Sequence, residues 1–325
     1  MLLPMLQLLY YIIEKVENGL SEQTSFFFEI ILRDKTMNNL KVAIIQIQTG
    51  PDKTSNLLKT AELFASIKNH QANLILLPEM FQCPYSLESF PIFAEDILTG
   101  ETSLFLSNLA REYGTFLVGG SIPEKKENRY YNTSIVYNPS GEIIGIYRKT
   151  HLFDVDFENL HFQESSVLNP GNTPLLIDTP WGKIGILICY DLRFPELIRL
   201  YALRGAFMVA VPAAFNPITG PLHWEVLFRA RAIDNQVYLL GASPAPYPNA
   251  SYQAYGHSLI VDPMGRVLEQ LGNEEAIIIK DIDLSLVDQA RQRLPLLKHR
   301  RLDLYAINPD EKLGNSLKDQ KGEAI

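Results

Sequence analysis

From Lys41 to Tyr305, short apolar runs rich in Val, Ile, Leu and Tyr alternate with stretches of helical periodicity. That rhythm restricts the fold more than any other feature, because the two periods bury different faces. It predicts strands over 42–48, 74–77, 115–119, 133–137, 143–147, 175–177, 183–189, 207–211, 237–241, 258–261 and 276–281. Helices are predicted over 53–69, 102–113, 195–204, 224–235 and 284–291. Asn138-Pro-Ser-Gly141 and Asp262-Pro-Met-Gly265 predict hairpin turns, since Pro and Gly fix turn geometry. No internal repeat or linker interrupts 40–305. The expectation is one mixed α/β domain with helices packed outside its sheets, in a 325-residue chain long enough for a sizeable core.

The ends read differently. Met1 to Tyr11 is apolar, with no Lys or Arg ahead of it and no clear small-residue cleavage site, so it does not match a secretory signal. It is also too short to span a bilayer as a helix, and no other stretch is long and apolar enough. Met37 stands just before the first strand pattern. Residues 1–36 are therefore expected to be a dispensable extension, the other reading being a helix that docks on the domain or on a membrane surface. Residues 37–305 form the domain, and 306–325 a polar, frayed tail.

Composition removes several classes. The chain has 29 basic and 37 acidic side chains, a net charge of −8, and so no overall basic field to draw nucleic acid. Lys298-His299-Arg300-Arg301 reads as a solvated helix face, with a local basic patch as the alternative. Cys83 and Cys189 are its two cysteines, which excludes a disulfide framework and a four-thiolate metal site. No membrane partner is expected, and the expected location is cytoplasmic.

Three strand ends carry chemistry. Leu74-Ile-Leu-Leu-Pro-Glu79 places a carboxylate beside apolar residues, where a raised pKa and general-base work are plausible. Ile144-Gly-Ile-Tyr-Arg-Lys149 ends in a lysine that could pair with an acid or steady an oxyanion. Lys183-Ile-Gly-Ile-Leu-Ile-Cys189 is a buried strand ending at a thiol, with Pro195 in the first turn of a following helix. Such an elbow can expose a nucleophile. Taken singly, each has a plainer reading: a loop or capping glutamate, an exposed lysine, a buried structural cysteine.

Together, Pro78-Glu79, Tyr147-Arg-Lys-Thr-His-Leu-Phe-Asp154 and Cys189-Tyr-Asp-Leu-Arg-Phe-Pro-Glu196 resemble, in order and spacing, the Glu-Lys-Cys signature of the carbon–nitrogen hydrolase (nitrilase) superfamily. The resemblance runs from about Lys41 to Tyr305. It implies an α/β fold of the nitrilase type, a four-layer α-β-β-α sandwich, and a homodimer that stacks across a shared face. It makes Glu79 the general base, Lys149 the transition-state lysine, Cys189 the nucleophile and Glu164, in Phe162-Gln-Glu164-Ser, a second glutamate. It implies no metal and no organic cofactor. The six histidines independently show no His-x-His or His-Glu-x-x-His spacing, and no Gly-x-x-x-x-Gly-Lys phosphate loop is present.

Tyr190 and Asp191 stand where true nitrilases carry Trp and Glu. Arg231-Ala-Ile-Asp-Asn-Gln-Val-Tyr, Gly241-Ala-Ser-Pro-Ala and Ala250-Ser-Tyr-Gln-Ala-Tyr-Gly-His-Ser are more similar to the ω-amidase branch. Ala214-Phe-Asn-Pro-Ile-Thr-Gly-Pro-Leu-His-Trp-Glu also resembles amidases of deaminated glutathione, the alternative reading, and Gln82-Cys83 departs from the branch's pattern. A non-catalytic binding protein of the same fold is the remote alternative, and the presence of Glu79, Lys149 and Cys189 argues against it. An ω-amidase cleaves the terminal amide of 2-oxoglutaramate or 2-oxosuccinamate to acid and ammonia through a thioester. Such a substrate needs a cation near the thiol. Arg193, four residues past Cys189, is the candidate, with a salt bridge to Asp191 or Glu196 as its structural alternative. Thr219 and Phe215 could line the pocket, Tyr85 could close over it, and the Tyr190 N–H would join Lys149 at the oxyanion. Glu164 would orient Lys149 and the leaving amine. Cys83 reads as a bystander.

Overall fold

The computed structural model describes residues 39–157, 160–305 and 314–315. The extension 1–36 lies outside them, as does the tail 306–325 apart from Gly314 and Asn315.

In chain order the elements are β1 (Asn39–Gln46), α1 (Lys53–Ser66), β2 (Leu74–Leu76), α2 (Ser89–Phe93), α3 (Glu101–Tyr113), β3 (Phe116–Val118), β4 (Ile122–Lys126), β5 (Arg129–Tyr137), β6 (Ile143–Arg148), β7 (Asp154–Phe157) and β8 (Leu160–Gln163). There follow β9 (Leu175–Thr179), β10 (Gly182–Ile186), α4 (Pro195–Leu203), β11 (Ala206–Pro212), α5 (Gly220–Asn235), β12 (Tyr238–Ala242), β13 (Leu259–Val261), β14 (Val267–Gln270), β15 (Ala276–Asp283), α6 (Ser285–Arg293) and β16 (Gly314–Asn315). One sheet runs β15-β1-β2-β3-β5-β4, with β6 also on β5; the other runs β14-β13-β12-β11-β10-β9-β16. β1, β2 and β3 are mutually parallel, as are β10, β11 and β12. β4–β5, β5–β6, β7–β8, β9–β10 and β13–β14 are antiparallel hairpins, β3 on β5 and β12 on β13 are antiparallel across longer connections, and the short β16 lies parallel on β9.

The alternation along β1 builds the layers. Val42 and Ile44 join the core that contains Leu175, Ile177, Ile184 and Ile186 of the second sheet. Ala43 and Ile45 join instead Leu57 and Phe64 of α1 and Leu106 and Ala110 of α3. Successive side chains thus serve opposite faces. Beyond the second sheet, Ile198 and Tyr201 of α4 and Trp224 and Phe228 of α5 close the stack. The result is the α-β-β-α sandwich. The sheets meet closely at Gly145, where a Cβ would lie 2.8 Å from Leu175 Cδ2.

Both expected hairpin turns form, closed by Asn138 N–H to Glu142 O and Asp262 N–H to Arg266 O, each at 2.9 Å. Other expectations need correction. The strand expected over 183–189 pairs only as far as Ile186, and Cys189 instead opens a 3₁₀ turn with φ +47°. The helix expected over 224–235 starts earlier, at Gly220, with Pro221 in its first turn, where a missing N–H costs nothing. The helix expected over 53–69 ends at Ser66. β4, β7, β8, β14 and α2 were not read from the sequence: β4 is Ile-Pro-Glu-Lys-Lys, whose Pro and charges mask a strand.

Candidate active site

The carboxyl ends of β2, β6, β10 and β11 gather on one side of the sandwich, where ligand sites of parallel sheets form. Each end turns sharply. Pro78 and Glu79 follow β2, and Met80 takes φ +52°. Gly120, at φ +62°, lets the chain after β3 pass under Pro78; a Cβ there would meet the Pro78 carbonyl at 2.1 Å. Lys149 follows β6 and is fixed through its backbone, its N–H donating to Asn132 O at 2.8 Å. Cys189 holds a left-handed backbone that ordinary residues avoid, a strain typical of functional turns.

Glu79, Lys149 and Glu164 meet in the interior with no side-chain exposure. Lys149 Nζ lies 3.0 Å from Glu79 Oε1, and 3.0 and 2.9 Å from the two oxygens of Glu164. Asn132 Nδ2 donates to Glu79 Oε1 at 2.8 Å. The Tyr85 hydroxyl donates to Glu164 Oε1 at 2.7 Å and reaches Glu79 Oε1 at 3.4 Å. Tyr85 is therefore part of the polar cluster itself. Glu164 Oε2 also accepts the Phe153 N–H at 2.7 Å. Glu79 Oε2 has no hydrogen-bond partner among the described residues.

Burial sets the titration. It pushes the Glu79 carboxyl above the usual range; Lys149 opposes this and Glu164 adds to it. Burial alone would lower Lys149, but the carboxylates of Glu164 and Glu79 hold its ammonium well above the ordinary value. The Cys189 thiol is raised by burial and by Glu79, with Lys149 opposing, and the Ala214 N–H donates to its sulfur at 3.5 Å. The thiol thus rests protonated beside a carboxylate that has a free oxygen. Its proton can move to Glu79 as the sulfur attacks, without a standing thiolate.

Cys189 opens into a narrow pocket walled by Phe153, Tyr190, Arg193, Phe215, Thr219 and Tyr252, among others. Arg193 makes no ion pair with Asp191 or Glu196. Its NH1 instead lies 3.0 Å from His223 Nδ1, and its NH2 donates to Thr219 Oγ1 at 3.3 Å. The guanidinium carbon sits 4.9 Å from the Phe215 ring centre and 5.7 Å from that of Tyr190. All nine expected site residues therefore fall into the polar cluster or the pocket beside it. Cys83 does not face Cys189: it lines a larger cavity of about 330 Å³ that shares Ala214 and Tyr252 as a common wall with the pocket. Its thiol is raised by burial, so it is a poor nucleophile.

Sequence reasoning missed four contributors: Asn132 on Glu79, Asp191 as a brace, His223 on Arg193, and Tyr252, whose hydroxyl donates to Ala214 O at 2.6 Å. Asn132 carried no local signal, lying inside a nine-residue strand. Asp191 and His223 stood within motifs already singled out. Among the described residues no group of three or more His, Cys, Asp or Glu is arranged to hold a metal ion.

The carbon-nitrogen hydrolase family model matches residues 41–292. The chain is 46% identical over 272 residues to the omega-amidase NIT2 of Mus musculus, covering 83% of this chain and 98% of that one. It is 46% identical over 276 residues to the omega-amidase NIT3 of Saccharomyces cerevisiae, covering 82% and 95%. The crystal structure of Saccharomyces cerevisiae Nit3, a member of branch 10 of the nitrilase superfamily, superposes with a TM-score of 0.76 at 43% identity, covering 81% of this chain and 97% of that one. The C. elegans NitFhit protein gives 0.76 at 31%, covering 83% and 68%. With its sandwich, its buried Glu-Lys-Cys cluster and this breadth of match, the chain belongs to the carbon–nitrogen hydrolase family.

Proposed function

We propose that the protein is an ω-amidase, a cysteine-dependent hydrolase that releases ammonia from the terminal amide of a small carboxylate-bearing amide such as 2-oxoglutaramate or 2-oxosuccinamate. One observation carries the substrate class. Arg193 shares a pocket wall with Cys189 and has no acid partner among the described residues. A half-buried guanidinium with no acidic neighbour is short of an anion, and a carboxylate supplies one through two parallel hydrogen bonds.

The reaction follows from the cluster. The substrate's carboxylate docks on Arg193 and its amide carbon meets Cys189 Sγ. The sulfur–carbon bond forms as the thiol proton passes to Glu79. Lys149 Nζ and the Tyr190 N–H hold the oxyanion, where one such donor is worth about 3–4 kcal/mol of barrier. The carbon–nitrogen bond breaks as Glu79 returns the proton to the leaving amine, and ammonia departs. Glu79 then takes a proton from water, whose oxygen attacks the thioester. The acid leaves and the thiol is restored. Glu164 keeps Lys149 charged and aimed, and Tyr85 bridges the two glutamates.

A homodimer is part of the proposal. Leu222, Val226 and Ile233 form one apolar stripe along α5, exposed by 67%, 64% and 41%; a second copy would cover it. No helix among the described residues is long and apolar enough to cross a membrane, and the cytoplasm is the proposed compartment. The domain proposed to carry the activity is 37–305.

An ammonia-release assay on 2-oxoglutaramate, glutamine, deaminated glutathione and a simple nitrile tests the substrate class. Turnover led by 2-oxoglutaramate supports it. Turnover led by deaminated glutathione assigns the chain to the other amidase reading, and turnover of the nitrile alone overturns both.

A further inference from the structure

We propose that His223 is a specificity-determining residue: its neutral imidazole, accepting at Nδ1, aims the Arg193 guanidinium at the substrate's carboxylate. The inference rests on the reading of Arg193 as the carboxylate's partner and adds the group that positions it.

The donor inventory forces the tautomer. A guanidinium has five N–H donors and no acceptor. At 3.0 Å from Arg193 NH1, His223 Nδ1 must therefore be the acceptor, and the ring proton sits on Nε2. Thr219 Oγ1 accepts from NH2 at 3.3 Å. Each terminal nitrogen has then given one hydrogen to α5 or its cap and keeps one for a carboxylate oxygen, the two-pronged arrangement.

The helix is built for this. Thr219 caps α5, and His223 lies one turn in, its N–H bonded to Thr219 O at 2.8 Å, so the two acceptors stack on one helix face. Asn216 Oδ1 accepts from Thr219 N–H at 2.9 Å and steadies the cap. Three turns on, Arg231 NH2 donates to the Arg193 carbonyl at 2.8 Å. Backbone and head of Arg193 are thus both held by α5, while the Phe215 ring lies against the guanidinium. An arginine tied this way does not need to be ordered when substrate binds, which lowers KM for an anionic amide and leaves the bond-breaking steps alone.

The test separates the Nδ1 position from mere bulk. Asparagine places its Oδ1 where Nδ1 stands, on Cγ, whereas glutamine places its oxygen one atom further out. In the full-length enzyme, His223→Asn should keep KM for 2-oxosuccinamate within about 2-fold, while His223→Gln and His223→Leu should raise it about 10-fold, with kcat changed less than about 2-fold, as befits one charge-assisted hydrogen bond lost by proxy. Butyramide, which has no carboxylate, should be cut equally by all of them. Equal KM values for the Asn and Gln variants, or a shared loss of kcat on both amides, would overturn the proposal. Arg193→Met, measured alongside, isolates the underlying reading. If it discriminates between the two amides and His223→Leu does not, only the positioning role fails. If Arg193→Met hits both amides equally, the carboxylate reading of Arg193 has failed instead. Should the Leu variant not fold, the Asn and Gln pair still decides.

Discussion

The phenol of Tyr147 donates to Asp191 Oδ2 over 2.7 Å, a buried bond that ties the strand leading to Lys149 to the turn that carries Cys189. The same carboxylate accepts the Ile188 N–H at 3.1 Å, the Thr150 hydroxyl at 2.9 Å and the His151 N–H at 2.9 Å, with His151 Nδ1 at 2.7 Å. Asp191 thus fixes the nucleophile and the lysine relative to each other, although it touches neither functional atom.

Asp191→Ala should therefore strand two buried donors, the Tyr147 hydroxyl and the Ile188 N–H, together with half-buried ones on Thr150 and His151. Each unsatisfied donor costs about 1–3 kcal/mol, so unfolding free energy should fall by several kcal/mol. Urea denaturation measures the loss, and a midpoint unchanged from wild type would remove Asp191 from its bracing role.

Cys189→Ala should abolish turnover with the fold intact, since only the nucleophile is removed. Mass spectrometry of wild-type enzyme quenched during turnover should find an acyl adduct on Cys189. An adduct on Cys83 would contradict both the mechanism and the burial of that thiol.

The acid limb of kcat/KM reports Glu79, which must be ionised to accept the thiol proton. Its pKa is raised, by burial first, so the limb should lie above the ordinary glutamate value of about 4.3. Glu164 contributes to the rise; Glu164→Gln removes that negative neighbour, and the limb should move to lower pH. Single-turnover rates across pH measure it, and a shift upward would reverse the assignment. The sign for stability follows the same value. A carboxyl whose folded pKa is raised contributes stability that is present below its unfolded pKa and lost as pH rises through the folded one. Glu79→Gln should accordingly flatten that part of the stability–pH curve.

A chain beginning at Met37 should fold and turn over normally, because the strand pattern of the sequence starts after it. Val226→Glu should yield monomer at micromolar concentration by light scattering, since it places a charge in the apolar stripe of α5. Loss of folding in the first case would show that residues 1–36 belong to the core; an intact dimer in the second would move the interface elsewhere.

Much was legible locally. The apolar runs around Val42, Ile75, Ile184 and Val209 announced central strands because a sequence run reports its own burial. Glu79 and Cys189 follow such runs directly, whereas Lys149, after Tyr147 and Arg148, gained weight only together with them. β4 was hidden by Pro123 and its charged end, and the hairpin of β7 and β8 by the shortness of its strands, four residues each.

The sequence by itself determined the α/β class, the types of its longer elements and which reactive side chains follow the buried strands, because periodicity and turn chemistry are properties of neighbours along the chain. Only the tertiary structure decided what those ends meet. Lys149 and Glu79 are 70 residues apart yet 3.0 Å apart in space. Asn132 on Glu79, Asp191 between two strand ends and His223 against Arg193 likewise depend on sheet register and on the seating of α5. Those placements are fixed by packing between distant segments, and no local period encodes them.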